Sequence, residues 1–90
     1  MPRAVVDPEE LRRFAQSLKH FSGELSQEMS GLQGRFSALS DTWRDQEHEK
    51  FAQEFARTVQ VLAHFVGEAN EHVPFLLRKA ERIEEYLQQR

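Results

Sequence analysis

Ninety residues with a formal net charge of −3 make one domain, close to the smallest size at which a single hydrophobic core sustains a fold. The absence of cysteine removes disulfides and cysteine-ligated metals as staples, which leaves association with another chain as the remaining source of stability. Three prolines, four glycines, 30% charged residues and no alternating β-branched run point to an all-α protein. The twelve Lys and Arg are interspersed with acids, so no nucleic acid is expected as a partner, and no segment has the roughly 18 continuous apolar residues of a membrane span. Met1 to Glu10 carries Asp7, Glu9 and Glu10 without an apolar run and does not read as a cleavable secretory signal. The expected location is the cytoplasm, with any export using a route that reads no such signal.

The first helix is predicted over about residues 8–39. Asp7 is a favoured N-cap, Pro8 suits the first helical position, and Glu9 and Glu10 complement the helix dipole. Leu11, Leu18, Leu25, Leu32 and Leu39 then recur every seven residues; Phe14 and Phe21 follow a Leu by three, while Met29, Phe36 and Trp43 follow one by four. That is one continuous apolar stripe, ending at the polar cluster Ser40, Asp41 and Thr42. Gly23, Ser26, Ser30, Gly34 and Ser37 fall away from the stripe and read as a solvated face, with the docking of a neighbouring helix as the alternative.

After a turn over about 40–44, a second helix is predicted over about 45–88. Thr42 with Asp45 reads as a capping box, and Asp45 alone as the cap, with Glu47 and Glu49 behind it, is equally consistent. Two heptad series run to the end: Phe55, Leu62, Ala69, Leu76 and Ile83, and beside them Ala52, Val59, Val66, Val73, Ala80 and Leu87. Phe51, Phe65 and Leu77 widen this stripe, which implies more than one neighbour where a hairpin supplies only one. Pro74 costs roughly 3 kcal/mol inside a helix, but both series keep their phase across it, so a kink near Pro74 is expected rather than a boundary; a short third helix is the alternative.

The expected architecture is a long antiparallel two-helix hairpin. At 1.5 Å per residue the helices reach roughly 48 and 65 Å, which sets Pro8 opposite residues around 75. The segment beyond Pro74 then overhangs, and Phe75, Leu76, Leu77, Ile83, Tyr86 and Leu87 are assigned to contact with a partner chain. No chemistry is indicated. His20, His48, His64 and His72 read as solvent-facing, and although Asp45 and His48 have the spacing of three used in di-iron bundles, the inward positions around them are apolar. No carboxylate pair or nucleophile with a base stands out, so neither catalytic residues nor a metal or cofactor is expected.

Leu32, Phe36 and Leu39 leading into Trp43, then Phe51 and Phe55 beyond it, resemble the WXG family of early-secreted-antigen-like proteins: two long helices joined by a Trp-bearing turn in a chain of about a hundred residues. Here the turn motif reads Trp43, Arg44, Asp45, with Asp45 where the family has Gly; Asp serves as a helix cap. The resemblance implies a hairpin that dimerises antiparallel into a four-helix bundle, with itself or a related hairpin. It further implies a role in type VII (ESX-like) secretion as substrate, chaperone or partner adaptor, with a secretion-system ATPase as a further contact. Many members carry a Tyr followed four residues later by an acid; here Tyr86 is followed by Arg90. Trp43 itself reads as an aromatic plug closing the hairpin, or as a turn-borne contact. The competing reading is a cytoplasmic coiled-coil adaptor or scaffold that matches the layout by convergence, and a metal-binding bundle enzyme is weaker still.

Overall fold

The computed structural model describes residues 6–89. Of the amino-terminal stretch read for a secretory signal, residues 1–5 lie outside the described residues, as does Arg90. Helix α1 (Pro8–Leu39) and helix α2 (Gln46–Gln88) pack antiparallel into a rod of 69 × 20 × 15 Å, and the described residues contain no strand. The radius of gyration is 20.2 Å, where a compact chain of this length has about 12 Å. A thickness of 15 Å is one layer of helices, whereas stable domains are built from at least two.

Each helix begins at an aspartate. The Asp7 carboxylate accepts the Glu9 backbone N–H at 2.9 Å, with Pro8 in the first turn. The Asp45 carboxylate accepts the His48 backbone N–H at 3.0 Å, which selects Asp45 over a Thr42 capping box; Thr42 donates its hydroxyl back to the Leu39 carbonyl instead. Asp45 has φ −92° and ψ −175°, extended backbone that any residue adopts, so an aspartate fits this position of the turn without strain. Replacing Asp45 with alanine is expected to cost about 1 kcal/mol in thermal unfolding. An unchanged midpoint would show that the cap contributes nothing.

Helix α2 continues through Pro74 as one element, so among the described residues no third helix follows it. Its inward positions are His48, Ala52, Phe55, Val59, Leu62, Val66, Ala69, Val73, Leu76, Ala80 and Ile83, alternately four and three residues apart, the spacing of a coiled-coil seam. On α1 the matching positions are Leu11, Ala15, Leu18, Ser22, Leu25, Met29 and Phe36. The seam carries small residues at Ala15, Ser22, Ala69 and Ala80 and large rings near the turn at Phe36 and Phe55. Ala15, Ser22, Ala69, Val73 and Ala80 are the buried residues, so among the described residues the lone hairpin buries nothing larger than valine.

The overhang is shorter than helix lengths alone predict. Arg12 is hydrogen-bonded and ion-paired to Glu84, and Ala80 is fully buried, so α1 lies alongside α2 well beyond residue 75. Residues 40–45 take up length without helical rise. Leu76, Leu77 and Ile83 are consequently half-buried within the hairpin, while Phe75, Tyr86 and Leu87 stay exposed.

Candidate interaction surface

The two sides of the hairpin differ in chemistry. Phe21 meets Phe65 edge-on, with ring centroids 6.1 Å apart, on one side of the seam. Phe14 on α1 and Phe51 and Tyr86 on α2 share the heptad positions of that pair, with Val61 and Phe75 beside them on α2. All are exposed: Phe14 by 59%, Phe21 by 53% and Phe65 by 40%. Leu32 and Leu39 are half exposed and extend the same flank of α1 toward the turn. On the opposite side, Ser22 Oγ lies 3.1 Å from the Lys19 carbonyl and 3.3 Å from Asn70 Oδ1, and Arg12 bonds Glu9 and Glu84. Lys19, Ser26, Ala56 and Ala63 complete that small and polar side. Five of the seven phenylalanines are thus exposed, and none of them lies on the polar side. Thr58, His72 and Lys79 stand between these rings at the same heptad position, so the side is a row of exposed aromatics among polar residues. Large apolar side chains gathered on one side of a charged surface mark a candidate association site.

Near the turn the aromatic rings form a cluster around Phe36. Its ring stacks on His48 at 5.3 Å and packs against Phe51 and Phe55 at 5.5 and 5.1 Å. Trp43 closes the end, edge-on to the His48 ring at 5.1 Å and tilted against Phe51 at 6.1 Å. Ser40 Oγ donates to the Phe36 carbonyl at 3.0 Å; having one proton, it accepts the second bond, 2.7 Å from His48 Nε2, with the imidazole as donor. His48 is therefore half-buried and part of the turn, where the sequence suggested a solvent-facing side chain. Beside these rings lies an apolar groove of about 270 Å³, lined by Leu32, Arg35, Phe36, Leu39, Phe51 and Phe55.

Arg12, hydrogen-bonded to Glu84 and flanked by Glu9, is held protonated more firmly than an ordinary guanidinium. His20 with Glu24 at 3.2 Å and His64 with Glu68 at 3.1 Å are exposed one-turn pairs, of a kind that contributes little to stability. Among the described residues no group of His, Asp and Glu side chains could hold a metal ion; the Asp45–His48 spacing is that of a helix cap. No helix among them is long and apolar enough to cross a membrane.

The residues singled out from sequence divide by place. Leu11, Leu18, Leu25, Met29, Phe36, Phe55, Val59, Leu62 and Val66 face the other helix; Phe14, Phe21, Leu32, Leu39, Phe51 and Phe65 form or border the exposed apolar face. Leu77 flanks the seam on the polar side, away from Phe51 and Phe65. Ala15 and Ser22 are seam residues that sequence reasoning passed over in favour of the larger Phe14 and Phe21. The Gly and Ser face of α1 makes no close approach to α2: a Cβ built at Gly23 or Gly34 meets nothing within 4 Å.

The chain belongs to the WXG100 family, proteins of 100 residues with WXG, whose pattern matches residues 5–88. The likeness to the family therefore extends over nearly the whole chain and is not confined to layout. No curated protein matches the chain in sequence. Among solved structures it is similar to the secreted protein EsxB of Bacillus anthracis strain Sterne, at 26% identity over 96% of this chain and 98% of that one, with a TM-score of 0.77. A point mutant of EsxB superposes with a TM-score of 0.82 at 26% identity, covering 94% of this chain and 96% of the mutant.

Proposed function

We propose that the chain is a small, non-enzymatic protein of the type VII secretion pathway, acting as a dimer of hairpins and serving as an exported substrate or as the partner adaptor of one. The observation that carries this reading is the aromatic face of a single-layer rod: Phe14, Phe21, Phe51 and Phe65 lie exposed along one side of a molecule 15 Å thick. A second hairpin laid on that face makes the second layer. Family membership and the likeness to a secreted protein support the link to export.

The test is export by a bacterium that carries such a secretion system. The tagged chain is expected in the culture medium, falling at least tenfold when the system's ATPase is removed, with a cytoplasmic marker absent from the medium throughout. Retention in the cell with the system intact contradicts the reading as substrate. Failure of a co-expressed partner's export to depend on the chain contradicts the adaptor role.

A further inference from the structure

Helix α1 is weak in its middle, and its packing on α2 does not call for the weakness. Residues 23–35 contain Gly23, Gly31 and Gly34, with Ser26 and Ser30 between them. Each mid-helix glycine makes the helical state about fivefold less favourable than alanine would, because the glycine backbone has more freedom to lose. None of the three makes room for α2: a Cβ built on any of them meets nothing within 4 Å. None has positive φ either, so no backbone conformation in the helix requires them.

The same stretch is the part of the rod with least holding it shut. Among the described residues, side-chain hydrogen bonds join the two helices at Arg12–Glu84 and Ser22–Asn70, and Ser40–His48 ties the turn; none falls between Ser22 and Ser40. The buried residues Ala15, Ser22, Ala69, Val73 and Ala80 all lie on the far side of the stretch, and on its other side the ring cluster starts at Phe36. Within it only Leu25 and Met29 are half-buried. The Ser22–Asn70 and Phe36–Phe55 contacts set it opposite residues 56–69 of α2, which have an anchor of their own: Phe65 meets Phe21, outside the weak stretch, and Ala69 is buried.

We infer that residues 23–35 of α1 unwind as a unit while both flanks and the whole of α2 stay folded. The contacts at Ser22–Asn70 and around Phe36 set the bounds, and a segment with few buried apolar contacts opens at lower cost than the whole molecule. Opening bares Val59, Leu62 and Val66, inward residues of α2 across from it, while the turn stays closed. The hairpin thus has a joint in one helix only, and an apolar stripe that is reached only when the joint is open. The joint is a property of the single hairpin and needs neither export nor a partner.

Amide hydrogen exchange on the full chain, read by mass spectrometry at one protein concentration, tests it. Amides of 24–35 are expected to exchange at least about tenfold faster than those of 56–68. Gly23→Ala, Gly31→Ala and Gly34→Ala together are expected to slow 24–35 about a hundredfold, the product of three roughly fivefold gains. Gly67→Ala, whose new Cβ also meets nothing within 4 Å, strengthens a helix that stays folded during the opening. Residues 24–35 should then keep their rate, while 56–68, which exchange only through global unfolding, slow about fivefold. Equal rates in the two segments, or an effect of Gly67→Ala on 24–35 as large as on 56–68, would mean that α1 opens only with the whole hairpin and would overturn the inference. A rate for 24–35 that the three alanines leave unchanged overturns it too, because the glycines would then not be what weakens the segment.

Discussion

Phe65→Glu is expected to leave the chain monomeric. Phe65 and Phe21 pack edge-on at mid-rod, on the side that also carries Phe14, Phe51, Val61, Phe75 and Tyr86, and both rings are about half exposed in the hairpin. An aromatic anchor at the centre of an interface is worth at least about 2 kcal/mol, and two-fold symmetry applies the change twice. Burying two carboxylates against apolar rings adds desolvation to that loss. The expected total of about 4 kcal/mol corresponds to roughly a thousandfold in Kd. Ser26→Glu, on the polar side, is the matched control and should leave Kd unchanged. Equal effects from the two would mean that the aromatic side is not the interface.

The second large effect is expected within the hairpin. Phe36→Ala removes the ring that stacks on His48 and packs against Phe51 and Phe55, and thereby the hub that sets the distance between the helices at the turn. A half-buried phenylalanine falls at the lower end of the core range, so the expected loss is about 3 kcal/mol. In a domain of this size that lowers the unfolding midpoint by about 15 °C. Trp43→Ala, which removes a ring touching only the edge of the cluster, is expected to cost less. The reverse order in thermal unfolding would make Trp43 the keystone of the turn and Phe36 a bystander.

Much of the fold lay open in the periodicity. The Asp7 and Asp45 caps and the unbroken heptad phase across Pro74 follow from local rules, because a coiled-coil seam repeats with the same spacing whatever partner covers it. Assigning residues to the seam is harder on α1, since Phe14 with Phe21 and Ala15 with Ser22 both keep a spacing of seven, the first pair three and the second four residues after a Leu. The seam takes Ala15 and Ser22 because small residues allow α1 to approach Ala69 and Ala80, and the displaced phenylalanines become the exposed face. A signal for this was present: Met29, Phe36 and Trp43 follow a Leu by four, and extending that spacing back along α1 reaches Ser22 and Ala15 rather than Phe21 and Phe14. The register of the two helices was not legible in the same way. It depends on the length consumed between residues 40 and 45 and on the pairing of Arg12 with Glu84, neither of which a count of residues contains.

The most direct test is the molar mass of the purified chain in solution, by light scattering across micromolar concentrations. A hairpin that buries nothing larger than valine and exposes five phenylalanines predicts twice the chain mass of 10.6 kDa, with helical content lost as the protein is diluted toward Kd. A single-chain mass with undiminished helicity and cooperative unfolding at every dilution would contradict it, because the hairpin would then be stable with its aromatic face in water.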